Sequence, residues 1–177
     1  MHEINELIDS SITAVEKKDA LELRKVSADA LNEASIEGQS ELILIALIDY
    51  ALSKLLSKIH YQDIDGEFYS KITANFLKAK IGPKEEMLGH LEEIEDLVIR
   101  LDEKEGRYAD NVMDKARIKK AANLYEKGLS LRRASELTGA DSAQVLEYIG
   151  GSKIHEFTIQ GGQNAARMKI AREVFLG

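Results

Sequence analysis

The chain is predicted to be all-α: an N-terminal helical bundle of four to five helices, then a compact three-helix unit, a short extended segment and a final helix. Three observations carry this expectation. Apolar residues recur at three- and four-residue intervals along most of the length. One proline in 177 residues and 6% aromatics leave little to interrupt helices and little to favour strands. Charge is also divided unevenly. Residues 1–106 carry 12 Lys and Arg against 23 Asp and Glu, a balance of −11, while residues 107–177 carry 12 against 8, or +4. We therefore divide the chain into an acidic bundle, 1–106, and a basic module, 107–177, with any polyanionic partner expected at the second.

Ile4, Leu7, Ile8, Ile12 and Val15 fall on one helical face and predict an amphipathic first helix. Asp19, with Glu22 three residues on, has the form of a capping box opening a second helix. That helix carries Leu23, Val26, Ala30, Leu31 and Ala34, and Gly38 is expected to end it. Ser40 is the expected cap of a third helix, ELILIALIDYALSKLLSKIHY. Leu42 to Ile48 is unbroken apolar sequence, so this helix should be buried on most sides. Asp49, Lys54 and Lys58 interrupt it, and no apolar run of about 18 residues exists. It is therefore predicted as a central core helix and not a membrane span.

A polar turn from Tyr61 to Gly66 leads to a fourth helix with Phe68, Tyr69, Ile72, Phe76 and Leu77. Gly82-Pro83 stops it and starts a fifth, whose first turn carries Glu85 and Glu86. Met87, Leu91, Ile94, Val98 and Leu101 then repeat in a 4-3-4-3 rhythm that continues through Glu105 and Tyr108 to Val112. The rhythm predicts a helix running past Gly106, with a seam facing either the bundle or a second subunit.

From Arg117 to Ile149 the chain reads RIKKAANLYEKGLSLRRASELTGADSAQVLEYI. Gly128 is expected to stop a helix bearing Ile118, Ala121, Ala122, Leu124 and Tyr125. Ser130 caps a second, short helix that ends at Thr138-Gly139, and Asp141 or Ser142 caps a third bearing Val145, Leu146, Tyr148 and Ile149. Ala134 and Ser135 are small enough for two helices to cross closely, and Gly139 tolerates positive φ in the turn. The stretch LYEKGLSLRRASELTGADSAQVLEYI resembles the helix-turn-helix of resolvases, transposases and many small regulators. The resemblance covers residues 117–149 alone, roughly a fifth of the chain.

It implies that the third helix enters the major groove with its N-terminal residues towards base edges. Outward positions there are Asp141, Ser142, Ala143, Gln144, Leu146 and Glu147. Gln144 is the one familiar base reader, and the two carboxylates oppose phosphate. Basic residues flank the helix instead: Lys115, Arg117, Lys119, Lys120, Lys127, Arg132 and Arg133. The candidate DNA-binding residues are Lys119, Lys120, Arg132 and Arg133 for phosphate, with Ser142 and Gln144 at the base edges. A solvated helix face accounts for the same basic residues equally well.

After Ile149, Gly150-Gly151 breaks the helix, and KIHEFTI alternates Ile154, Phe157 and Ile159 like a strand. Asn164 is expected to cap a final helix with Met168, Ile170, Ala171, Val174 and Phe175. The segment after Gly151 would serve as a wing, an arm or part of a dimer interface.

The chain has no cysteine, which excludes disulfides, thiolate zinc sites and cysteine nucleophiles. Its N-terminus is amphipathic and acidic, unlike a secretory leader, so a cytoplasmic location is expected. His2, His60, His90 and His155 are far apart; Glu86, His90 and Glu93 share a helix face but lack ligands from a second helix. Asp63, Asp65 and Glu67 lack the spacing of a calcium loop, and Gly161-Gly162 lacks the lysine and hydroxyl of a phosphate loop. No catalytic residue, cofactor or metal is expected. The expectation is a DNA-associated regulator, antitoxin-like in organisation, whose partners are double-stranded DNA, a protein held by the bundle and a second copy in a homodimer, with no membrane. The alternative is a non-catalytic protein-protein interaction adaptor with a degenerate helix-turn-helix.

Overall fold

The computed structural model describes residues 4–57, 66–104 and 111–151, and within them the fold is all-α with no strand. The helices are α1 (Ile4–Glu16), α2 (Ala20–Glu37), α3 (Ser40–Leu56), α4 (Gly66–Ile81), α5 (Lys84–Lys104), α6 (Val112–Glu126) and α7 (Leu131–Thr138). An eighth, α8, covers residues 142–151. The polar turn after Tyr61, the KIHEFTI segment and the helix expected after Asn164 lie outside the described residues, as do His2, His60 and His155.

α3 is the hub. It packs against α1, α2, α5, α6 and α7, and the apolar run Leu42–Ile48 is buried throughout. Around it, α1 contributes Leu7, Ile8 and Val15, α2 contributes Leu23, Val26 and Leu31, and α4 contributes Ile72 and Phe76. One hydrophobic core runs on without a break into Val112, Met113, Ala116, Leu124, Ala134, Val145 and Ile149. The acidic and basic parts therefore share a core across residues 106 and 107.

Helix ends follow local chemistry. Asp19 caps α2 by accepting from the amides of Leu21 and Glu22, each at 3.0 Å. Gly38 ends that helix in the left-handed region at φ 67°, where a side chain would be strained. The cap of α3 differs from expectation: Gln39 holds the capping position in extended backbone, and Ser40 is the first helical residue.

The helix expected to run past Gly106 would cross residues 105–110, which lie outside the described residues. Asn111 adopts φ 41°, and a new helix begins after it. The buried Asp102 carboxylate of α5 accepts the Val112 amide at 2.9 Å, tying the end of one helix to the start of the next. The seam of α5 is turned inward, with Met87, Leu91, Ile94 and Val98 all buried within the chain. The surface that motivated a coiled dimer along this seam is thus covered intramolecularly. No helix among the described residues is long and apolar enough to cross a membrane.

Candidate functional site

α6, α7 and α8 are joined by two short turns whose geometry follows from a few polar side chains. Gly128 takes φ 100° after α6, and the Leu129 amide closes back on the Leu124 carbonyl at 3.1 Å. Ser130 then caps α7, accepting from the Arg133 amide at 3.2 Å. At the far end the Thr138 hydroxyl donates to the Ala134 carbonyl at 2.9 Å, and Gly139 turns the chain at φ 69°. Asp141, not Ser142, caps α8: its carboxylate accepts from the amides of Ala143 and Gln144, both at 3.0 Å.

Small residues let these helices approach. Ala134 and Ser135 of α7 are buried, and Val145 and Ile149 of α8 return to the core beside Leu124. Leu129, Leu131 and Leu137 are partly buried against it. Arg117 of α6 braces the unit against the bundle. Its guanidinium bonds to Glu95 of α5 at 2.6 Å and to Asp114 at 3.4 Å, and the side chain passes beside the turn glycine Gly139.

The candidate residues do not share one environment. Ser142 and Gln144 are exposed in the first turn of α8, alongside Ala143, Leu146 and Glu147. Arg132 and Arg133 are exposed near the start of α7. Arg132 bonds to Glu136 at 2.8 Å, and this hydrogen bond and charge hold the Glu136 carboxyl below its ordinary pKa. The Arg133 guanidinium reaches over Gly38 at the end of α2. Lys119 is half-buried, with its ammonium 5.1 Å from the ring centre of Tyr148; hydrogen bonding to that tyrosine pushes its pKa up.

Lys120 points the other way. It is only 4% exposed, and its ammonium lies 4.9 Å from the ring centre of Tyr50 on α3. Burial lowers its pKa to about 8, against the opposing charge of Asp49. Its place on α6 fits the basic run Arg117–Lys120, but one residue's rotation turns it from solvent to core.

Asp49 was legible only as an interruption in an apolar helix. It is fully buried, and the Ser11 hydroxyl of α1 donates to one of its oxygens at 2.7 Å. Its other oxygen has no hydrogen-bond partner. Burial raises its pKa to about 8, opposed by the Ser11 bond and the Lys120 charge. Asp49 of α3 and Lys120 of α6, both buried, thus lie close enough for each charge to act on the other.

Tyr50 and Lys54 of α3, several residues of α6 and Tyr148 of α8 line a cleft of about 430 Å³. Tyr50 did not stand out in the sequence, and Tyr148, an expected apolar position of α8, is exposed while Ile149 turns to the core; only the packing of three helices brings the two tyrosines together. On α5, His90 and Glu93 stand 3.8 Å apart, too far for a hydrogen bond. Among the described residues no group of three or more His, Asp or Glu gathers as metal ligands. Comparison with protein-family models, curated proteins and solved structures finds no match for this chain.

Proposed function

We propose that the protein is a DNA-associated regulator in which α6, α7 and α8 act as a helix-turn-helix that docks on duplex DNA mainly through phosphate contacts. The observation that carries this reading is the exposed first half of α8, Ser142, Ala143, Gln144, Leu146 and Glu147, held out by a capped turn around Gly139. In that arrangement the N-terminal residues of the last helix lie against base edges, and the start of the preceding helix meets the backbone. Arg132 and Arg133 stand where phosphates would pass, and the exposed Arg132–Glu136 pair is weak enough to open for one. Lys120 takes no part, and Lys119 contributes little while its ammonium is engaged with Tyr148. Gln144 is the single base reader, so sequence preference is slight. Asp141 and Glu147 lower the affinity, and the acidic bundle serves assembly or partner binding.

Binding should therefore be strongly salt-dependent. In a fluorescence anisotropy titration of a random duplex, affinity falls by about 0.9 log units per log unit of salt for each phosphate neutralised. Replacing Arg132 and Arg133 with Ala flattens that slope by about two units on every sequence. Gln144→Ala instead costs about 1–3 kcal/mol at one base pair if it reads adenine.

A second reading, a protein adaptor, is favoured by one observation: Leu146 is 52% exposed beside the exposed Ala143, on the face that would meet the groove. No duplex binding at about 50 mM salt decides for the adaptor. Ala143→Glu and Leu146→Glu would then abolish capture of the partner.

A further inference from the structure

Arg117 meets three parts of the molecule with one side chain. Its guanidinium donates to Glu95 of α5 at 2.6 Å and to Asp114, one turn back on α6, at 3.4 Å. Its stem lies against the turn between α7 and α8. A side-chain carbon added at Gly139 would stand 3.8 Å from the Arg117 Nε and 3.9 Å from its Cδ, in van der Waals contact. That turn needs a residue at φ 69°, which glycine adopts without strain. α5 packs against α6 but not against α7, so this side chain joins α5 to the end of α7.

Two ion pairs of this region differ in kind. The side chains of Arg132 and Glu136 are 89% and 50% exposed, and such a pair exchanges readily with water. Those of Arg117 and Glu95 are only 28% and 15% exposed. Shielding from water strengthens a charge-assisted bond and holds its geometry. The planar guanidinium can hold two carboxylates at once while its stem lies along the turn, and a lysine ammonium lacks that fixed fork. The turn leads directly to Asp141, whose carboxylate caps α8, and on to Gln144. A displacement of Arg117 is therefore passed to the start of α8.

We propose that Arg117 is a positioning residue: holding Glu95 and lying against the Gly139 turn, it sets the placement of α8 on the bundle and so the presentation of Ser142 and Gln144. Its effect on binding rests on α8 meeting the duplex; its effect on the placement of α8 needs only the Glu95–Arg117–Gly139 geometry. In this role Glu95, an acid of the bundle, supports duplex binding, whereas a carboxylate beside a phosphate-binding arginine would oppose it.

Backbone amide NMR of the free full chain, with fluorescence anisotropy on a random duplex, tests this. Glu95→Ala and Arg117→Met, each checked for folding by a thermal melt, should shift the same amides within residues 139–147. The double variant should add little to either. Arg117→Lys should shift them less than Arg117→Met. Glu95→Gln, which still accepts from the guanidinium, should give the pattern at smaller amplitude and stays readable if Glu95→Ala unfolds the chain. Lys25→Gln, which breaks an exposed pair with Glu22, should leave these amides unmoved. Glu95→Ala and Arg117→Met should each weaken duplex binding about fivefold, with the salt slope unchanged. An arginine bound to phosphate behaves otherwise: Arg117→Met would flatten the slope by about 0.9, and Glu95→Ala would tighten binding. That result overturns the proposal, as do amides 139–147 unmoved in the folded Glu95 variants. A chain that binds no duplex while these amides move together keeps the positioning role and loses the duplex reading.

Discussion

α3 buries Leu42, Ile45, Leu47, Ile48 and Leu52 around most of its circumference, whereas α7 buries only Ala134, Ser135 and Thr138. The bundle is thus held by large side chains removed from water, each worth about 1.5–3 kcal/mol on full burial. The C-terminal helices have few such groups and rely on close approach, capped ends and the support of α3. The lesson is one of dependence: the module, with few large buried side chains in α7, leans on the bundle's central helix, which packs against α6 and α7. A region built this way can present an exposed polar helix while its fold is secured elsewhere.

The largest break in this comparison is a charge in the centre of α3. Leu47→Asp places an unpaired carboxylate in the core, costs several kcal/mol and should unfold both regions together in a thermal melt. Unchanged stability would remove α3 from its central place.

The second effect concerns the buried Asp49 and Lys120. Burial raises the pKa of Asp49 from 3.8 to about 8, so the folded chain holds a proton there that the unfolded chain has released. Stability from this group is complete below the unfolded value and drains away as pH rises towards about 8. Lys120 gives the opposite limb: with its pKa lowered to about 8 from 10.5, stability recovers as pH rises above 8. The wild type should therefore be least stable near pH 8 on account of this pair. Asp49→Asn, which can still accept from Ser11, removes the falling limb. Denaturant melts between about pH 4 and 8 should show the wild type losing up to about 1.4 kcal/mol per pH unit relative to the variant. Parallel curves would show Asp49 to be ionised throughout.

A smaller and more local effect is expected in the module. Ala134→Leu overpacks the crossing of α7 with its neighbours at a cost of about 1–3 kcal/mol. Amide hydrogen exchange should quicken in α6 to α8 while α1 to α4 stay protected. Smaller again, Asp141→Ala removes the cap of α8 and should cost about 1 kcal/mol, seen as faster exchange at Ala143 and Gln144.

The residues explain which features could be read in advance. Asp19, Gly38, Ser130, Gly139 and the Asp141 cap act on neighbours two to four positions away, so their chemistry is written locally. The burial of α3 followed from an apolar run that no amphipathic surface helix would carry. Asn111 was hidden because Val112 falls in phase with the apolar rhythm of α5, and periodicity alone does not see a left-handed residue. Lys120 and Asp49 depend on the rotation of α6 against α3, and the cleft depends on a third helix as well. Such features arise from pairing between distant segments, which a single chain's pattern does not encode.

The reading that unites these observations is that α8 presents its first turns to duplex DNA on a base secured by α3. Backbone amide NMR of the full chain, titrated with a random duplex at low salt, tests it most directly. The account predicts the largest shifts at residues 142–147 of α8 and at Arg132 and Arg133 of α7, with the amides of α1 and α2 unmoved. Shifts confined to other faces, or none at all at saturating duplex, would contradict it.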